Sequence, residues 1–149
     1  MRCNSGIPPR VLADQHLIAE YRELPMVLGS LRINGFKLKS EPRLIFGLGK
    51  GHINWYKTRL LYLKNRHNDV IDEMKNRGFK CDGVKFDINE APTEFHNNWQ
   101  PTLQDSMIIR QRIKEKLLLK PKFYKYNRNN INDIDKFIND IFESELWPN

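Results

Sequence analysis

Apolar side chains recur at helical spacing in four stretches of the chain. Residues 12–29 place leucines and a tyrosine on one stripe at about 100° per residue, which predicts an amphipathic helix. The same spacing predicts a second helix over 52–77, a third over 102–119 and a short fourth helix over 131–146. The predicted class is therefore all-α, with three main helices and a short C-terminal helix.

The segments between these helices contain breaks and few signs of strands. Residues 32–51 are rich in glycine, lysine and arginine, and they predict a basic loop. Within it, GLGKGH (47–52) lacks the ending of a nucleotide-binding P-loop and indicates a turn into the second helix, with amides that could touch a phosphate. We expect one compact domain over residues 1–130, with residues 131–149 packed on it as an acidic amphipathic extension.

Charge is distributed unevenly along the chain. The net charge is +7, but residues 131–149 carry −4, which leaves +11 on residues 1–130. Such a basic body typically binds a polyanion, most often nucleic acid, although lysines can also serve solubility alone. Residues 110–128 contain eight bases and one acid, interleaved with Phe123 and Tyr124. Bases neutralise phosphates and aromatic rings stack on exposed nucleobases, so this segment favours nucleic-acid binding.

Several other classes of protein are disfavoured. No apolar run is long enough to span a membrane and the first residues lack an export signal, so we expect an intracellular, cytoplasmic protein. Cys3 and Cys81 are then expected to be reduced thiols. The four histidines lack metal-ligand spacing, so we expect no metal and no other cofactor, although carboxylates distant in sequence could converge on one. We expect a monomer without membrane contact.

Glu23 occupies an unusual place on the first predicted helix. Leu17, Tyr21 and Leu24 belong to the apolar stripe, whereas Glu23 lies on a neighbouring stripe with His16 and other polar residues. Glu23 is therefore either a solvated edge residue or a carboxylate half-shielded from water with a catalytic role. Pro25 removes a backbone hydrogen bond beside it, and a kink there weakly favours a site.

One stretch of the first helix carries a specific resemblance. LADQHLIAEYRELP (12–25) resembles the signature of the pyrimidine-dimer DNA glycosylases of the phage endonuclease V type, and NRGF (76–79), PTEF (92–95) and PKFYKY (121–126) resemble later blocks of that family in the same order. The resemblance implies a compact all-helical domain that recognises ultraviolet-induced dimers in double-stranded DNA. It also implies cleavage of the glycosidic bond by the N-terminal α-amine through an imine, followed by β-elimination, without a metal.

The resemblance and the basic pattern together assign roles to eleven residues. The family's essential acid corresponds to Glu23, and its nucleophilic amine corresponds to that of Met1. The predicted DNA-binding residues are Arg2, Gln15, His16, Arg22, Arg112, Lys116, Lys120, Tyr124 and Lys125.

The chain departs from the family pattern at two positions. The small residue that normally follows the initiator methionine is Arg2 here, and a bulky residue there should leave Met1 in place. The segment before Leu12 is also one residue longer. The arginine that commonly follows the Leu-Pro pair is Met26, so one phosphate contact is expected to be missing.

Alternatives to this function remain open at the level of sequence. One is a related glycosylase and lyase for a different lesion, and another is a non-catalytic module that binds distorted DNA. The acidic extension is either a purely structural helix or a device whose negative charge tunes access to the basic groove.

Overall fold

Helices form most of the regular structure in the computed structural model, which describes residues 2–148. The helices are α1 (Asp14–Ile33), α2 (His52–Lys57), α3 (Leu60–Asn76), α4 (Leu103–Leu119) and α5 (Ile134–Glu143). Three 3-10 turns (Pro9–Val11, Ile88–Glu90 and Thr93–Phe95) and one small antiparallel hairpin, β1 (Lys125–Tyr126) with β2 (Asn129–Asn130), complete the regular structure. The all-α class is confirmed. Within the described residues, no helix is long and apolar enough to cross a membrane.

The apolar stripe predicted for the first helix forms the centre of the core. Helix α1 packs along α3, and its stripe residues Leu17, Tyr21, Leu24, Leu28 and Leu31 are all buried. The helix ends four residues later than the pattern predicted, at Ile33. The buried face thus fixes which flank of α1 carries Glu23.

Pro25 lies inside α1 without ending it. Because proline has no N–H, it cannot donate to the carbonyl of Tyr21 four residues earlier. His67 on α3 supplies the missing donor, since its Nε2 lies 2.9 Å from that carbonyl oxygen. The His67 ring also stacks on the Tyr21 ring at 5.3 Å. Helix α3 therefore satisfies the backbone group that proline leaves open in α1.

The predicted second helix over 52–77 is wrong in one respect, because the chain forms two helices there. Helix α2 ends at Lys57 and α3 begins at Leu60. Between them, Arg59 leaves the helical region and forms an antiparallel bridge with His96, while the Asn97 side chain donates to the Thr58 carbonyl at 2.8 Å. The apolar spacing does not reveal this break, since α2 and α3 bury residues in the same core.

Hydrogen bonds close the ends of the long helices. Helix α3 ends in a Schellman motif, in which the Phe79 amide donates to the Met74 carbonyl at 2.9 Å and Gly78 adopts φ +73°. Helix α4 begins with a capping box between Thr102 and Asp105. The capping box thus sets where α4 begins.

A buried ion pair holds the N-terminal segment against α1 and α3. The Glu20 carboxylate and the Arg66 guanidinium are both fully buried, with Nε 2.7 Å from Oε1. The Asn4 backbone N–H donates to Oε1 at 3.0 Å and its side-chain amide donates to Oε2 at 2.8 Å. Arg66 also donates to the Ile7 carbonyl at 2.6 Å. The segment is therefore attached to the ion pair at two points.

The acidic C-terminal extension packs on α4 through a buried arginine. Arg110 donates to the Ile141 carbonyl, to Ser144 Oγ at 2.9 Å and to the Glu145 carbonyl at 3.1 Å. Ile138 and Ile141 are buried beside it. The guanidinium thus donates hydrogen bonds to carbonyl groups near the C-terminal end of α5, where the helix dipole favours a positive charge.

The extension also reaches the N-terminal segment. The Trp147 amide donates to the Gly6 carbonyl at 2.9 Å, and Arg10 forms two 2.6 Å hydrogen bonds with Glu145. Gly6 has φ +75°, and a Cβ there would lie 2.7 Å from Ser106 Cβ, so no other residue fits without displacement. These contacts favour the structural interpretation of the extension.

We expect Ile141→Ala to lower the free energy of unfolding by about 2 to 4 kcal/mol, because it removes a buried aliphatic side chain at the contact with α4. Lys136→Ala is the matched control on the exposed face of α5, where its solvent-exposed ion pair with Asp140 should change the free energy of unfolding little. Urea denaturation measures both. Equal stability of the two variants would contradict a structural role for the extension.

Candidate active site

An open pocket of about 420 Å³ lies where the N-terminal segment, α1, α4 and the segment after α4 meet. Seven of the eleven predicted site residues line this pocket, although they come from distant parts of the sequence. The lining residues are Arg2, Asn4, Gln15, His16, Glu23, Arg112, Ile113, Lys116, Phe123 and Tyr124.

Glu23 contacts the beginning of the described chain. Its Oε2 accepts a 2.7 Å hydrogen bond from the Arg2 backbone N–H, and its Oε1 lies 3.0 Å from Arg2 Nη1. The Glu23 side chain is 23% exposed. The carboxylate is thus half-shielded and borders the pocket, which favours the catalytic interpretation over that of a solvated edge.

Two carboxylates of α1 bind alternate residues of the N-terminal segment. Glu23 binds Arg2, and Glu20, one turn earlier on the helix, binds Asn4. From the opposite side, Arg112 of α4 donates to Asn4 Oδ1 at 3.1 Å. Sequence reasoning assigned no role to Glu20 or Asn4, although Glu20 shares the polar stripe of Glu23 and could have been found there.

His16 is a buried neutral ring in a positively charged pocket. Burial, together with the positive charges of Arg112 and Arg2, lowers the pKa of His16 to about 4. The ring lies 4.7 Å from that of Tyr124. At neutral pH the positive charge of the pocket therefore comes from Arg2, Arg112 and Lys116.

A match to a known family covers more than half of the chain. Residues 2–87 match the family model described as pyrimidine dimer DNA glycosylase. The chain belongs to this family. The matched range includes α1 and the Glu23 flank of the pocket, so the resemblance seen in LADQHLIAEYRELP is confirmed. Membership in this family supports a function in DNA repair by cleavage of a glycosidic bond, with DNA as the substrate.

Gln15 acts in this glycosylase by holding the aromatic segment after α4. Its side-chain amide donates to the Phe123 carbonyl at 2.9 Å, and its Oε1 accepts from the Lys125 amide at 3.0 Å. Both ends of the amide are therefore engaged by the protein. Gln15 fixes Phe123 and Tyr124 at the pocket wall, a role that its sequence position alone does not reveal.

The remaining predicted residues of the glycosylase lie elsewhere. Arg22 is exposed on α1, Lys120 is exposed at the end of α4 and Lys125 lies in β1, and none of the three lines the pocket. Met1, the predicted nucleophile, lies outside the described residues.

Neither cysteine is part of this site. Cys3 and Cys81 are both free, and burial raises the pKa of the Cys3 thiol to about 12, so that thiol stays protonated at neutral pH. Among residues 2–148, no three or more histidine, cysteine or carboxylate side chains form a group suited to a metal ion.

We expect the His16 ring to titrate with a midpoint near pH 4 in an NMR titration, well below its ordinary value of 6.5. Because the unfolded chain then binds this proton more readily than the folded one, stability is lost as the pH falls from 6.5 toward 4. The loss between pH 7 and pH 5 should be about 2 kcal/mol smaller in His16→Phe, which retains a ring but cannot titrate. Identical pH dependence in both proteins would contradict a buried neutral His16.

Proposed function

We propose that this chain excises ultraviolet-induced pyrimidine dimers from double-stranded DNA as a glycosylase with associated AP-lyase activity, acting through the α-amine of Met1. It acts as a monomer without a metal or other cofactor. The observation that carries the proposal is the 2.7 Å hydrogen bond from the Arg2 backbone nitrogen to Glu23. Glu23 therefore contacts the backbone of the residue that directly follows the proposed nucleophile in the sequence.

The first chemical step is attack by the amine on the sugar. An α-amine has a pKa of about 7.7 to 8.0, so a useful fraction is free base near neutral pH. Its nitrogen bonds to C1′ while the glycosidic bond breaks, and the base leaves with the electron pair of that bond. Glu23 stabilises the positive charge that develops on the sugar, a role typically worth about 10² to 10⁴ in rate.

The second step cuts the strand. The bound nitrogen loses a proton, and its electron pair then forms a double bond to C1′ while the C1′–O4′ bond of the sugar ring breaks and O4′ takes up a proton. The product is a cationic imine between the protein and C1′ of the opened sugar. A base then removes a proton from C2′, a double bond forms between C2′ and C3′, and the 3′ phosphate leaves with the electron pair of the C3′–O bond. Glu23 is the carboxylate at the pocket that can accept this proton. No step requires a metal.

The basic and aromatic residues of the pocket suit a distorted duplex. Arg2, Arg112 and Lys116 supply positive charge for phosphates around the lesion. Tyr124 and Phe123 form the wall where an extruded nucleotide can stack. The volume of about 420 Å³ falls within the range of about 300 to 1,000 Å³ typical of pockets that hold small organic groups.

The predicted residues outside the pocket extend this surface. Arg22 precedes Glu23 on α1 and binds a phosphate that flanks the lesion. Lys120 and Lys125 bind further phosphates beyond α4. Such contacts set the register of the protein on the duplex and carry no sequence information.

A glycosylase of the same mechanism with a different preferred lesion is the second candidate. Met26 favours it, because this residue is largely exposed one turn beyond Glu23, where the resemblance implies an arginine. A missing phosphate contact at that point would alter how the strand beside the lesion is held.

We expect Glu23→Gln to lower the rate of nicking of a dimer-containing duplex by about 10²-fold or more, with little change in Kd, because the neutral amide cannot stabilise a cationic sugar. Glu143→Gln is the matched control, since Glu143 is exposed on α5 away from the pocket. Single-turnover nicking without metal and a binding titration measure the two quantities. Nicking by Glu23→Gln within about tenfold of wild type would remove Glu23 from the mechanism.

Blocking the N-terminus should abolish both chemical steps and spare DNA affinity, because a displacement of the amine by about 1 Å can cost on the order of 10²-fold in rate. The test compares a chain acetylated on Met1 with a chain carrying a C-terminal tag. Mass spectrometry of the borohydride-reduced adduct should locate the new bond on Met1. Attachment to a lysine side chain, or full activity of the acetylated chain, would refute the proposed nucleophile.

A further inference from the structure

Two consecutive aliphatic side chains project from the loop between α1 and α2. Leu44 is 97% exposed and Ile45 is 78% exposed. Isolated exposed apolar residues are ordinary, but an adjacent pair at this exposure forms a contiguous apolar patch, which indicates a surface that binds another molecule. The function proposed above gives this pair no role.

The loop holds this pair in a defined place. Phe46, the next residue, is buried and its ring lies 5.0 Å from that of Trp99. Arg43, the preceding residue, donates to the Leu48 carbonyl at 3.1 Å. Residues 44 and 45 are therefore presented by a loop that Phe46 attaches to the core and that the hydrogen bond from Arg43 to Leu48 closes on itself.

The charge around the pair indicates the chemistry of its partner. Residues 37–50 contain four bases, Lys37, Lys39, Arg43 and Lys50, and a single acid, Glu41. A partner must therefore accept an apolar side chain and carry negative charge around it. Duplex DNA meets both conditions, because its phosphates surround a stack of apolar base faces.

The loop lies beside the candidate active site. His52 Nδ1 is 3.0 Å from the Gly47 carbonyl oxygen of the loop. Burial lowers the pKa of His52, and the charges of Arg112 in the pocket and Arg43 in the loop both add to this effect, so His52 lies within electrostatic reach of both. On the other side, Lys39 of the loop borders a depression that Met26 and Ser30 of α1 also line, one and two turns beyond Glu23.

We propose that Leu44 and Ile45 form an apolar wedge that enters the base stack of the duplex beside the lesion. Apolar side chains inserted in this way unstack a base step and bend the duplex. The wedge would stabilise the distorted DNA from which a nucleotide is extruded toward the pocket. This inference rests on the proposed function, since it assumes that the pocket receives DNA.

The test is a Leu44→Ser, Ile45→Ser double variant, which changes only exposed side chains. The matched control is Leu103→Ser, an exposed leucine at the start of α4 that lines no part of the pocket. The probe is a dimer-containing duplex with 2-aminopurine next to the lesion, whose fluorescence rises when its neighbours unstack. We expect wild type and control to raise the fluorescence alike, and the double variant to give less than about half of that rise with about tenfold weaker binding.

The outcomes separate this inference from the proposed function. If wild type nicks the duplex and the double variant gives an unchanged fluorescence rise and Kd, the wedge is refuted and the glycosylase proposal stands. If neither protein nicks but the fluorescence rise still requires the pair, the wedge stands and the chemistry is refuted. Loss of binding to anionic phospholipid vesicles in the double variant, with DNA binding intact, would assign the pair to a membrane surface and overturn the wedge.

Discussion

The buried ion pair between Glu20 and Arg66 is the interaction on which the site depends. Two charges removed from water are costly, and the loss of one partner from such a pair typically costs about 3 to 5 kcal/mol. Here the carboxylate also accepts two hydrogen bonds from Asn4. The pair therefore has a geometric function. It fixes residue 4 against α1, and this places residue 2 beside Glu23, one helical turn farther along.

Much of the fold and of the site could be predicted from short-range patterns. Leucine spacing in residues 12–29 predicted which face of α1 is buried, and hence that Glu23 lies at the border of the core. The polar residues of α1 and α4 that line the pocket, among them His16 and Arg112, were predicted from the family resemblance. Such predictions succeed because helical periodicity and local motifs are properties of neighbouring residues.

The features that sequence did not predict depend on residues far apart in the chain. Nothing near Thr58 signals that the helix stops there, because the bridge between Arg59 and His96 requires a second segment. Likewise, the partner of Glu20 is 46 residues away. Gln15 was predicted to bind DNA, and its amide also holds the segment after α4, a partner more than 100 residues away that no local pattern indicates. Pairings of this kind follow from tertiary packing, which periodicity does not encode.

The substitution of a side-chain donor for a backbone donor at Pro25 affects the mechanics of α1. In an ordinary helix the Tyr21 carbonyl would accept a hydrogen bond from the backbone N–H four residues later. Here it accepts one from the side chain of His67, which belongs to the neighbouring helix α3. The link lies within one turn of Glu23. A force on α1 is then transmitted into α3 and the core, so the helix resists flexing beside the carboxylate that we propose to be catalytic.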